Sequence, residues 1–153
     1  MDTLTKEERS RVMGRIHSRD TTPELIVRRF LWEKGFRYRT CVKSVLGHPD
    51  IVFGKYRTLI EIRGCFWHRH EGCSLASDPK SNLDFWNAKF ERNVARDLEH
   101  EKYWHEHGWN VLVVWECGLR AKAREETLAT VLHYLREWGV RPACPPSGAV
   151  CAQ

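Results

Sequence analysis

The stretch from Gly64 to Leu83 limits the fold more than any other part of this 153-residue chain. It has neither helical nor strand periodicity, and a structureless loop that long survives in a compact domain only if something pins it. Cys65, His70 and Cys73 cluster inside it, and a further cysteine, Cys117, lies far downstream. Six cysteines could suggest a disulfide scaffold, but the chain is neither short nor loop-rich throughout. Nor does Met1 to Arg15, with charges of both signs, contain the apolar stretch of a signal peptide. In a reducing compartment, clustered Cys and His read as metal ligands, and binding an ion would pin the loop. Cys41 has a strand-like setting and is expected to be a buried apolar residue. Cys144 and Cys151 fall in the tail.

The flanking segments are regular. Thr5 to His17 reads as a short basic helix, with Thr5 and Glu8 placed as a capping box. A second helix starts at Thr22 as N-cap with Pro23 at its first position, carries Leu25, Ile26, Phe30 and Leu31 inward, and stops near Lys34-Gly35. Phe36 to Val42 alternates like a strand. Asp50 to Phe53 and Thr58 to Ile62 are two strands joined by a Gly54-Lys55 turn, so they must be antiparallel. Asp84 to His107 is a long helix with Phe85, Phe90, Val94 and Leu98 inward. Trp109 to Trp115 (WNVLVVW) is the most apolar strand and is expected at the centre of the sheet. Lys122 to Trp138 forms a last helix, and the tail from Arg141 is expected to be disordered. The sum is one α/β domain, a central mixed sheet flanked by helices, with residues 1–20 as a basic arm, 21–140 as the folded domain and 141–153 as tail.

Charge narrows the partners. The formal net charge is +5, and Lys6, Arg9, Arg11, Arg15 and Arg19 crowd the first twenty residues, as a phosphate-contacting segment requires. Seven tryptophans exceed what so small a core needs, and aromatic surfaces stack on or wedge between bases. Trp32, Trp109, Trp115 and Trp138 lie on core-like faces. The apolar runs are too short to cross a bilayer, so no membrane partner is expected.

Chemistry converges on the hairpin. Pro49-Asp50 opens one strand and Glu61-Ile62-Arg63 closes the next. Period-2 geometry puts Glu61 and Arg63 on one face, and the hairpin brings Asp50 near Glu61. Two carboxylates beside a cation suit a hard divalent ion such as Mg²⁺, able to polarise a phosphate. The pattern resembles the PD-(D/E)xK nuclease superfamily, with Arg63 in the lysine position.

Further strings sharpen that resemblance. Gly64-Cys65-Phe66-Trp67-His68 follows the strand directly, then His70 and Cys73. Farther on stand Phe85-Trp86, Asn93, Arg96-Asp97 and Val114-Trp115-Glu116-Cys117; upstream are Asp20-Thr21, Pro23-Glu24 and Gly47. Over roughly residues 8 to 120 the chain is similar to the very short patch repair (Vsr-type) endonuclease family. That resemblance implies a restriction-endonuclease-like core with Asp50 and the Ile62 carbonyl on catalytic magnesium, Glu61 adding a ligand. It implies that His68 activates the attacking water while Glu24 orients and charge-balances it, with Asp97 as a supporting acid. Arg63 sits where relatives vary. Cys65, His70, Cys73 and Cys117 would hold a structural Zn²⁺; His68 is an alternative fourth ligand, but its base role needs it free. Phe66, Trp67 and Trp86 would wedge into the duplex beside a mismatch, and the basic arm would embrace DNA.

The expected activity is therefore a DNA mismatch endonuclease that nicks one strand 5′ of the T in a T·G mispair. A broader-specificity or restriction-like nuclease of the same fold, and a zinc-stabilised DNA-binding module that does not cleave, are the competing readings. Intact Asp50, Glu61 and His68 argue against the last. Mismatch-repair proteins are candidate partners and a cytosine methyltransferase link is implied by the resemblance alone. A single-strand nick needs one active site, which favours a monomer, and a cytoplasmic, nucleoid-associated bacterial setting is expected.

Overall fold

The computed structural model describes Glu7, Glu8, Arg11, Gly14 and residues 19–143. Of the basic helix expected over 5–17, Glu7, Glu8, Arg11 and Gly14 are described and helical; its other residues, Lys6, Arg9 and Arg15 among them, and the tail with Cys144 and Cys151 lie outside the described residues. Arg11 and Arg19 are described and exposed.

From residue 19 to residue 143 the described chain has three strands and three α-helices, in the order α1 (Thr22–Glu33), β1 (Ile51–Phe53), β2 (Thr58–Arg63), α2 (Leu83–Glu106), β3 (Asn110–Trp115) and α3 (Arg124–Glu137). The sheet runs β1-β2-β3. β1 and β2 pair antiparallel through the tight Gly54–Tyr56 turn, whereas β2 and β3 are parallel, with α2 as the crossover that parallel strands require. The mixed sheet flanked by helices is thus as expected, but β2 rather than β3 is its centre. Strand β3 is apolar without being central because one face packs under α3 and the other under α2.

Alternation along the strands sorts the layers. Ile51, Phe53, Ile60, Ile62 and Val114 join Val27 and Leu31 of α1 and Leu128, Val131 and Leu135 of α3 in one core. Val52 and Leu59 point the other way, onto Trp104 of α2 and Val45. Asp50, Glu61 and Arg63 share the parity of Val52 and Leu59. The site therefore belongs to the face that α2 covers.

Several local expectations change. The helix α1 is capped from Thr21, one residue earlier than Thr22, with Pro23 still in the first turn where its missing N–H costs nothing. Phe36–Val42 is not a strand. Only Arg39 bridges Val52, and Cys41 takes φ 53°, a left-handed conformation that interrupts extension and leaves the thiol exposed, not buried. On α2 the buried residues are Phe90, Asp97 and Trp104, at sevenfold spacing, while Phe85 and Leu98 are exposed. The inward stripe is narrow and includes a carboxylate, so hydrophobicity alone mislocates it. Trp32 and Trp138 are exposed, not core; Trp32 instead stacks under the Arg37 guanidinium at 3.7 Å. Trp104, fully buried, takes the core role and donates its indole N–H to the Leu46 carbonyl at 2.8 Å. That bond ties the loop before Asp50 to α2.

Candidate active site and metal centre

The β1–β2 register pairs Ile51 with Ile60, so one step further places Asp50 against Glu61. The Ile62 amide, next along β2, donates to Asp50 Oδ2 at 2.7 Å. Above this face, Asp97 and Glu101 lie four residues apart on α2. Four residues on a helix are about one turn, so both carboxylates face the sheet from the same side of α2. Asp97 therefore lies toward Glu61, while Glu101 binds Arg63 Nη1 at 2.7 Å. The loop after β2 returns His68 to the same place, its Nδ1 2.5 Å from Asp97 Oδ2. Asn93 of α2 fixes that loop by donating to the Trp67 carbonyl at 3.0 Å.

The result is a cleft of about 720 Å³ whose walls include Glu24, Asp50, Glu61, Ile62, Trp67 and His68. Its carboxylates crowd one another. Burial pushes the Asp50 carboxyl up to about 6; Glu24 adds to the rise, and the Ile62 amide, Arg28 and His68 oppose it. Burial, then the charge of Asp50, pushes Glu61 up to about 8 against the pull of Arg63. Glu61 Oε2 is also buried with no hydrogen-bond partner among the described residues. An orphaned carboxylate oxygen beside a second carboxylate is a poor arrangement for an empty pocket and a good one for a hard cation with oxygen ligands. The donor set fits a divalent metal.

Glu24, on the first turn of α1, borders the cleft but is held by others: its oxygens accept from the Asp20 amide at 3.0 Å and the Thr21 hydroxyl at 2.8 Å, and Arg28 Nη2 lies 3.1 Å away. The carboxylate touching His68 is Asp97. Arg63 is buried beneath the site, paired with Glu101 rather than lining the cleft. Arg28 is a residue that reading the sequence missed: it joins Asp20, Glu24 and, at 3.4 Å, the Asp50 carbonyl. Its position four after Glu24 on a helix was the available signal.

The family model of the DNA mismatch endonuclease Vsr matches residues 1–74. A type II nicking enzyme of Neisseria meningitidis serogroup A (V.NmeAIP) is 48% identical over 122 residues, 80% of this chain and 86% of that protein. The DNA mismatch endonuclease Vsr of Escherichia coli K12 is 38% identical over 137 residues, 90% of this chain and 86% of that protein. This chain belongs to the Vsr endonuclease family. It is a DNA endonuclease. A type II nicking enzyme of Xanthomonas oryzae pv. oryzae (V.XorIIP) is also 44% identical over 118 residues, 77% of this chain and 86% of that protein.

The Vsr-family chain carries its second constellation at the far end of the same strands. Arg63 of β2 pairs with Trp115 of β3, so continuing both parallel strands by two residues sets Cys65 beside Cys117. The loop turns back through His70, whose ring stacks on Trp115 with centroids 4.1 Å apart, and through Cys73. The donor atoms of Cys65, His70, Cys73 and Cys117 lie within 4.8 Å of one another. His70 Nδ1 is 3.6 Å from Cys65 Sγ and 3.4 Å from Cys117 Sγ. Tetrahedral bonds of about 2.3 Å to sulfur and 2.0 Å to nitrogen require roughly 3.5 Å between such atoms. Burial pushes the Cys65 thiol up to about 12, so a thiolate there needs a cation beside it. All four residues fit a structural metal.

Phe66, Trp67 and Trp86 pack together, and Trp67 of this cluster lines the cleft. Phe66 packs edge-on against Trp67, Trp86 and Phe90 with centroids 5.1–5.4 Å apart, and Lys89 Nζ sits 4.8 Å over Trp67. All three rings are partly exposed. They form a preassembled aromatic ridge beside the carboxylates.

The pH dependence of stability follows from Glu61. Its folded value, about 8, exceeds the ordinary 4.5, so the native state holds a proton that the unfolded chain releases. Stability is then fullest below about 4.5 and falls as pH rises towards 8, by roughly 4–5 kcal/mol for this group when no divalent ion is added. Glu61→Gln should remove that slope. Its melting temperature is expected to exceed the wild type's at pH 8 and match it near pH 4.5; an equal shift at both values would refute the assignment.

Proposed function

We propose that this Vsr-family endonuclease nicks one strand of duplex DNA on the 5′ side of the T in a T·G mispair, on a restriction-endonuclease-like core spanning residues 21–140. What carries the reading is the meeting of Asp50, Glu61 and the His68–Asp97 pair in one cleft beside an aromatic ridge. Asp50, Glu61 and the Ile62 carbonyl would hold Mg²⁺, which supplies positive charge against the phosphodiester when bound. Asp97 accepts the Nδ1–H of His68, which leaves the Nε2 lone pair to take the proton of an attacking water. Glu24, neutralised in part by Arg28, tunes the charge of the cleft. Arg63 holds β2 to α2 through Glu101 and offsets the charge of Glu61.

Mispair preference would come from the ridge. Inserting Phe66, Trp67 and Trp86 into a duplex costs a few kcal/mol in unstacking, and less where a pair is already weak. Zinc on Cys65, His70, Cys73 and Cys117 would hold the ridge in place, because Phe66 and Trp67 lie between the first two ligands. Arg11, Arg19 and the rest of the basic arm would contact backbone phosphates. Among the described residues no helix is long and apolar enough to cross a membrane.

Two labelled duplexes, identical except that one carries T·G in place of T·A, test the specificity with Mg²⁺ and zinc-loaded protein. The expected result is one nick, on the T strand, in the mismatched duplex. Equal cutting of both duplexes would replace this reading with a broader-specificity nuclease.

A further inference from the structure

A second cavity of about 390 Å³ adjoins the cleft, shares Gly47, His48, Glu61, His68 and Arg96 with it, and adds Asp97 and His100. Its construction is unusual. Gly47 takes φ 78°, and a Cβ there would lie 2.5 Å from the His100 ring, so only glycine lets the loop press onto α2. His48, next to it, is also left-handed at φ 51°, a conformation that costs a non-glycine residue energy and persists only where the surroundings impose it. Its Nδ1 lies 3.4 Å from the Val42 carbonyl. Opposite stands Arg96, whose Nη2 donates to Asn93 Oδ1 at 3.3 Å; the same Asn93 holds the Trp67 carbonyl. Burial, and then the Arg96 charge, lower the His100 pKa against the pull of Asp97 and Glu99.

We propose that His48 and Arg96 form an anion subsite for a backbone phosphate of the nicked strand, one that flanks the reacting phosphodiester. A strand with its reacting phosphate beside Asp50 and His68 must pass one wall of the cleft, and otherwise meets Glu61 and Asp97. His48 and Arg96, which line both cavities, offer an imidazole and a guanidinium to a phosphate, in positions set by Gly47 and by Asn93. Because Asn93 also holds the Trp67 carbonyl, a strand seated on Arg96 is indexed against the aromatic ridge. This inference rests on the proposed placement of the reacting phosphate beside Asp50 and His68, but not on the T·G preference.

The test measures DNA affinity without added Mg²⁺, so that no strand is cut. In Arg96→Gln the slope of log affinity against log salt should lose about one phosphate's share, roughly 0.9, on matched and mismatched duplexes alike, with several-fold weaker binding. His48→Asn, which tolerates the left-handed backbone, should weaken binding less and leave the slope nearly unchanged. Neutral methylphosphonates, placed one at a time along the nicked strand, should cost the wild type affinity at one position near the nick, and that cost should vanish in Arg96→Gln. Coupling of this kind identifies a strand phosphate and separates it from binding of free phosphate. An unchanged slope in Arg96→Gln, or no coupled position near the nick, would overturn the subsite while leaving the nicking result untouched.

Discussion

Replacing Asp50 by Asn is expected to abolish nicking, by on the order of a thousandfold or more, while raising the melting temperature of the magnesium-free protein above pH 6. The two effects share one cause. The carboxyl is buried and driven up to about 6 from an ordinary value near 3.8, so its ionised form is strained in the metal-free fold. An acid whose folded value is raised stabilises the native state at low pH. That contribution is lost as pH climbs from about 4 to 6, here roughly 3 kcal/mol. Asparagine keeps an oxygen to accept the Ile62 amide and removes the charge. A metal-free variant should therefore melt higher at pH 8. The same charge is what would hold Mg²⁺ against the phosphate, and removing one preorganised charge-stabilising group commonly costs 10²–10³ in rate. The measurements are initial nicking rate on the mismatched duplex and melting temperature at pH 5 and 8 without added magnesium. A variant that nicks at even a tenth of the wild-type rate would remove Asp50 from the chemistry.

Loss of the Cys/His centre should have the larger effect on stability. Cys117→Ser would remove the proposed fourth ligand and leave Cys65 as a buried thiol with no cation to ionise it. Metal loss belongs to the few changes that exceed about 4–5 kcal/mol, and at 2–4 °C per kcal/mol a domain of this size should melt 10–20 °C lower. The wild type should release one zinc per chain on denaturation, and the variant much less. The loop from Gly64 onward carries Phe66, Trp67 and His68, so protease cleavage should appear there first. The core formed by α1, α3 and the sheet is independent of the loop, which is why destabilisation and not complete unfolding is expected. A variant of unchanged melting temperature and zinc content would show that Cys117 is not a ligand.

Both sites were largely legible before the structure because each rests on short-range spacing. Asp50 and Glu61 sit at the open end of a hairpin whose turn fixes its register, and Cys65 and His70 lie in a single loop. The pairing of His68 with Asp97 was less visible, since 29 residues separate them. Asp97 read as a supporting acid, while Glu24 read as the partner that orients the water. Their placement depends on how far α2 advances across β2. Arg63 was recognised as a site residue, but its pairing with Glu101 depends on the same advance. Four misplaced apolar side chains share one origin as well. Phe85 and Leu98, Trp32 and Trp138 were assigned inward because they are apolar, although the area of a small domain leaves many such side chains at the surface.

Sequence alone determined the elements and most of the donor groups: turn residues, strand alternation and the Cys/His cluster act through neighbours along the chain. It also established family membership, through the similarity to Vsr and to the nicking enzymes. Tertiary structure decided which face of the sheet carries the candidate site. The parity of Asp50, Glu61 and Arg63 only says that they share a face; the packing of Trp104 onto Val52 and Leu59 places α2 over it. That single packing choice brings Asp97 to His68, Glu101 to Arg63 and Arg96 opposite His48. It lay beyond the sequence because a helix that buries only three residues gives a weak hydrophobic signal, and its rotation is set by the surface it lands on.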